Sequence, residues 1–184
     1  KTNAQQDAVK HTDVMASALE DRLRKEIETK QRNQEKQKDA LSKTNERLNA
    51  SMGRFQQYAE RFEGNDALAA KLKQFSDIFA RLKAQPRSAW DKKDLKDAKA
   101  AEKFAKELSE AAKHSTNQDE KGIAQAAMQA IKAWQDALKK ERAIKKNDKE
   151  LRDLERTAQD VANLSGKLHD GQEKVLELDD WLAR

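Results

Sequence analysis

Few side chains in this 184-residue chain are of the kind that does chemistry, and fewer stand at a useful spacing. Glu110 and His114 are four residues apart, so on a helix they share one face, which is the spacing of two metal ligands. A carboxylate steadying a histidine at a helix C-terminus accounts for the pair equally simply and is the reading adopted. His11 and His169 fall at a helix start and a helix end, and no cysteine exists to supply a thiolate or a disulfide. The five glycines are scattered rather than gathered into a phosphate-cradling loop. Adjacent acids such as Asp179-Asp180 are ordinary in a chain with 39% charged residues. No serine or threonine sits in a recognisable nucleophile context. The expectation is therefore a protein that is not an enzyme, with no catalytic residue, no cofactor and no metal.

Two kinds of residue remain as candidate contacts. The densest basic run holds Lys139, Lys140, Arg142, Lys145 and Lys146, which could meet phosphates or an anionic lipid surface. Glu141, Asp148 and Glu150 lie among these cations at ion-pair spacing, so a solvated helix face is the simpler reading. The other candidates are two tryptophans. Trp90 falls in a first helical turn, where it either caps a core or stands exposed to a partner. Trp181 lies near the chain's end, opposite a start that offers only Ala4, Ala8 and Val9, so it has little surface of its own to pack on. Trp134 instead falls on an apolar stripe and belongs to the core.

Composition decides what must hold these residues. The hydrophobic set is only 36% and there is one proline, a combination that suits narrow apolar seams between helices better than a round globule. Leu48, Met52, Phe55, Ala59 and Phe62 step by four and three, as do Leu68, Leu72, Phe75, Phe79 and Leu82. Met15, Leu19, Leu23 and Ile27 step by four on a neighbouring face, which predicts a stripe there. Nothing in the apolar-free stretch 28–39 breaks a helix, so one helix of about 60 residues is expected.

Gly64 and Asn65 should end this helix and cap the next. Pro86 stops the second helix. Ser88 should open the third, which buries Leu95, Ala98, Ala101, Ala105, Leu108 and Ala112. After Asn117, a fourth helical pattern continues through Ile123, Ile131, Trp134, Leu151, Val161, Leu164 and Leu168. Gly166 and Gly171 are its expected kinks, and Val175, Leu178, Trp181 and Leu182 form a last short piece.

This layout implies an all-α fold: an elongated antiparallel helical bundle in which two long helices enclose a short helical hairpin. Read as one domain over 1–184, it has a four-helix head at about 41–143 and a two-stranded coiled-coil stalk of about 1–40 with 144–184. Eight of the nine aromatic residues lie between Phe55 and Trp134, which places the stable core in the head. The polar stretches 28–39 and 145–150 should face each other at a waist that apolar burial cannot hold closed.

The function expected of such a chain is to present a surface to a partner protein, with a homodimer through the stalk as one form. The alternative is a basic coiled coil binding anionic membrane or nucleic acid. The net charge of +5 permits this alternative, but the charges are interleaved and form no polybasic tail. No apolar run approaches the ~18 residues of a transmembrane helix. A start at Lys1 rather than Met fits a processed or excised chain, and a removed signal peptide would give a secreted or cell-surface location.

Overall fold

The computed structural model describes residues 2–62 and 66–183. These residues are 94% helical and contain no strand, so the fold is all-α. Four α-helices follow in order: α1 (Thr2–Glu60), α2 (Asp66–Ala84), α3 (Lys92–Lys113) and α4 (Gln118–Ala183), with a short 3-10 turn at Arg87–Ala89 before α3. Gly64 and Asn65, the expected cap residues, lie outside the described residues, as does the side chain of Val175.

The third helix begins later than expected. Its N-cap is Asp91, not Ser88: the Asp91 carboxylate accepts from the Asp94 amide at 2.8 Å, and the Asp94 carboxylate accepts from the Asp91 amide at 3.1 Å. This reciprocal capping box satisfies two amides that the helix itself leaves unpaired. Ser88 belongs to the 3-10 turn. α4 differs in the other direction, since it runs unbroken through Gly166 and Gly171 to Ala183. Glycine in a helix costs about 1 kcal/mol relative to alanine, which is too little to stop a helix with good formers on both sides.

The chain divides into two compact units. The unit Lys38–Arg142 holds one apolar core to which all four helices contribute. Leu48 and Phe55 of α1, Leu72, Phe75, Phe79 and Leu82 of α2, and Ile123 and Ile131 of α4 are nearly inaccessible. Rings chain through it: Phe75 lies 4.9 Å from Phe55 and 5.7 Å from Phe79, and Phe79 lies 5.5 Å from Trp134. Room for these rings comes from alanines on the facing helices, Ala98, Ala101 and Ala105 on α3 and Ala126, Ala127 and Ala130 on α4. Small side chains let the backbones approach while the rings fill the remaining volume.

The inward stripe of α3 is Asp94, Ala98, Ala101 and Ala105, so Leu95 is displaced from the core and exposed. Asp94 can take the inward place because the Arg81 guanidinium sits 3.5 Å from its carboxylate. Arg81 also pairs with Asp97, and this bond raises the guanidinium pKa further.

The other unit joins Lys1–Gln37 to Ala143–Arg184 and contains only segments of α1 and α4. They run antiparallel: the Gln172 amide donates to the Val9 carbonyl at 3.0 Å, and Lys30 pairs with Glu150 at 2.7 Å. The inward residues of α1 here are Ala16, Glu20, Leu23, Ile27, Lys30, Gln34 and Gln37, an unbroken alternation of four and three. α4 turns inward at Ile144, Asn147, Leu151, Leu154, Ala158, Val161 and Ser165. Leu23 and Leu151 are the buried apolar residues of this unit among those described.

Met15 and Leu19 are not on this seam, contrary to the stripe drawn through them. Each step of four residues overshoots a full turn by about 40°, so three such steps carry Met15 about 120° away from Ile27. Leu164 likewise lies beside the seam and is exposed, whereas Leu168, three residues after Ser165, keeps the alternation of the seam but is still 43% exposed. The polar waist is not splayed in this unit, because polar groups continue the seam. Asn147 is buried and donates to the Lys30 carbonyl at 3.2 Å, while Lys30 reaches Glu150 and holds its carboxyl below the usual range.

Candidate functional site

The candidate contact residues fall in very different surroundings. Trp90 is half-buried. Its ring stacks on Trp134 at 5.3 Å with 26° between the planes, and its indole N–H donates to the Gln85 carbonyl at 3.3 Å. It packs against the Lys38–Arg142 core, with only part of the ring exposed. Trp181 is 73% exposed and belongs to the other unit.

The basic run is divided too. In the Lys38–Arg142 unit, Lys139 and Arg142 are exposed, whereas Lys140 turns inward and donates to the Thr44 hydroxyl at 2.6 Å and the Asp136 carboxylate at 2.9 Å. Thr44 is fully buried and donates in turn to the Ala40 carbonyl at 3.0 Å. Asp136 also pairs with Arg47 at 3.2 Å, and its pKa falls chiefly through the Lys140 hydrogen bond. In the other unit, Lys145 and Lys146 are exposed.

Glu110 and His114 do not pair with each other in the way the metal reading needs. The Glu110 carboxylate is held by Lys113 at 2.8 Å, which lowers its pKa, and His114 is the exposed C-cap residue of α3. Among the described residues, no three His, Asp or Glu side chains converge. An open groove of about 570 Å³ runs between α1 and α4 in the Lys38–Arg142 unit. Arg47, Arg54, Lys132 and Asp136 line it. Arg47 is engaged by Asp136, and Arg54 donates to Gln129 at 2.9 Å and to the Ser51 hydroxyl at 3.2 Å.

The most unusual surface is apolar. Val14, Met15, Leu19, Leu164, Leu168, Leu178, Trp181 and Leu182 are all exposed, and all belong to the unit of α1 and α4 segments. Leu95 is the only large apolar side chain found exposed in the Lys38–Arg142 unit among the described residues.

These residues are not scattered. Leu19 immediately precedes the inward Glu20, and Leu164 immediately precedes the inward Ser165, so each occupies the same edge of its own helix. Edge positions of one type face each other across an antiparallel pair. In the Lys38–Arg142 unit the corresponding edge is polar and bonded, Arg47 to Asp136 and Arg54 to Gln129. In the other unit it carries Leu19 and Leu164, with Met15 one turn along and the exposed Leu168 on the seam next to it.

Apolar residues on the seam plus one edge give a stripe wider than a two-helix contact covers. Apolar type alone would set these leucines in the seam. The distinguishing signal is the strict four-three alternation, which selects Glu20, Lys30, Gln34 and Gln37 although none is apolar.

Among the described residues, no helix is long and apolar enough to cross a membrane. Comparison with protein-family models, with curated proteins and with solved structures finds no match to this chain.

Proposed function

We propose that this protein is a non-enzymatic interaction module: an extended helical scaffold whose Lys38–Arg142 unit is a four-helix head. The α1 and α4 segments of the other unit form a two-stranded stalk that docks on a partner protein. The observation that carries this reading is the collection of large exposed apolar side chains in the stalk, more of them than the stalk buries. Apolar surface left in water is unfavourable by ~25 cal/mol per Å², and a contiguous exposed patch of it marks a contact site. The polar clusters of the head support the non-catalytic part. Thr44, Arg47, Asp136 and Lys140 satisfy one another, as do Arg81, Asp94 and Asp97, so these groups are engaged in holding helices together.

The reading is tested by placing a photoreactive residue at Met15, Leu168, Arg142 or Lys146 and irradiating the chain in its native surroundings. Protein crosslinks from Met15 and Leu168 support it. The second reading, a basic coiled coil on anionic membrane or nucleic acid, is favoured by the exposed cations Lys139, Arg142, Lys145 and Lys146. It predicts retention on anionic vesicles or DNA that collapses as salt rises, because phosphate binding releases counterions. Retention of that kind, without crosslinks from the apolar edge, would replace the first reading with the second.

A further inference from the structure

The apolar edge of the two-helix unit is flanked by two exposed charges of opposite sign, Asp160 and Lys167. Leu164 is 59% exposed near the middle of this edge. Asp160 lies four residues before it and Lys167 three after, both exposed, and neither forms an ion pair among the described residues. Steps of four and three keep all three side chains on one side of α4, with the two charges about 10 Å apart along the axis. A two-fold axis near Leu164 would bring Leu164 against its own counterpart. The same operation carries Lys167 of each copy to Asp160 of the other. Such reciprocity, in which residue i meets j and j meets i, is what a two-fold contact between identical chains requires.

We propose that this unit pairs with a second copy of the chain. The α4 helices cross antiparallel at Leu164, Met15, Leu19 and Leu168 are buried in the same contact, and a Lys167–Asp160 pair closes each side. The Lys38–Arg142 unit supplies the precedent, since there the same two long helices are completed by two more, α2 and α3. In the unit of α1 and α4 segments a second copy supplies the missing pair. The inference rests on the reading of the apolar edge as a docking surface and names its occupant.

Sedimentation equilibrium of the full chain tests it, with circular dichroism confirming that each variant remains helical. The wild type should be a dimer. Asp160→Lys and Lys167→Asp each replace two attractions by two like-charge contacts and should weaken the dimer about tenfold. The double variant Asp160→Lys/Lys167→Asp should restore it, and Leu164→Glu should give a monomer. A wild type that stays monomeric at ~100 μM, or a double variant no tighter than the single ones, would overturn the proposal. A monomer that still crosslinks from Met15 and Leu168 to another protein would exclude the second copy and leave the docking reading standing. A monomer without such crosslinks would remove both.

Discussion

α1 and α4 each run through both units, and what their inward positions carry differs sharply between them. In Lys38–Arg142, α1 turns Leu48, Met52 and Phe55 inward and α4 turns Ile123, Ile131 and Trp134 inward, against aromatic side chains from α2. In the other unit the same face of α1 carries Ala16, Glu20, Leu23, Ile27, Lys30, Gln34 and Gln37. One unit draws its stability from burial, and the other keeps its helical spacing while leaving much of its apolar material in water. A continuous helix can therefore serve two purposes, provided its period is kept. The lesson is that apolar content along a long helix says where the stability lies, and period says where the contacts lie.

The largest expected effects follow from the packed unit. Phe79→Ala and Trp134→Ala each remove a ring from the aromatic chain and should cost about 3–5 kcal/mol in chemical denaturation. In the two-helix unit, Leu23→Ala should cost roughly 2 kcal/mol, since Leu23 is buried but has fewer neighbours to lose. Leu19→Ala should stay within about 0.5 kcal/mol when measured on the monomer, because that side chain is already 45% exposed. Equal losses for Leu19 and Leu23 would break the assignment of seam and edge.

Gly122 sharpens the comparison from the packed side. A Cβ at this position would drive into the ring of Tyr58, whose face also receives the Arg61 guanidinium at 5.2 Å. Gly166 and Gly171 in the other unit have open space at the same test. Gly122→Ala should destabilise by about 1–2 kcal/mol once the clash outweighs the better helix propensity. Gly166→Ala and Gly171→Ala should each stabilise by up to about 1 kcal/mol. Thermal unfolding of the three variants orders them.

Acid should reach both units through different carboxylates. Asp136, held low mainly by Lys140, and Glu150, held low mainly by Lys30, both have depressed pKa values in the folded chain. A depressed carboxylate contributes stability that is fully present above its ordinary pKa near ~4 and is lost as pH falls through the folded value. Stability should therefore be flat above about pH 5 and decline below about pH 4. Lys30→Met should remove the Glu150 part of that decline and leave the Asp136 part. An unchanged acid profile in Lys30→Met would mean that the ion pair does not hold in solution.

The helical class, the apolar stripes of the first two helices and the core place of Trp134 were legible because each repeats one period over several turns with large side chains. At Met15 and Leu19 apolar type and helical angle disagree, and the angle decides. Leucines spaced by four look like a stripe, yet they drift around the helix, and the true seam passes through Glu20 and Lys30. Leu95 misled for a related reason: Asp94 holds the inward place only because Arg81, distant in sequence, pairs with its carboxylate. For Trp90 the sequence allows core and contact surface alike, and the stacking on Trp134 sets the ring against the core. The capping box at Asp91 was within reach, since Asp94 stands three residues on, but Ser88 offered a competing cap of equal local quality. Gly122 carried no local signal at all, because its constraint is the Tyr58 ring on another helix.

The central claim is that the packed unit holds the fold while the two-helix unit is held open for a partner. Amide hydrogen exchange, followed along α1 and α4 at two protein concentrations, tests it most directly. In dilute solution, exchange should be slow at 48–62 and 123–138 and clearly faster at 16–39 and 143–165. Raising the concentration should slow exchange at 16–23 and 157–168, around the apolar edge, and leave 48–62 unchanged. Uniformly slow exchange along both helices at the lowest concentration would contradict the account, since the two-helix unit would then be stable without anything docked on its edge.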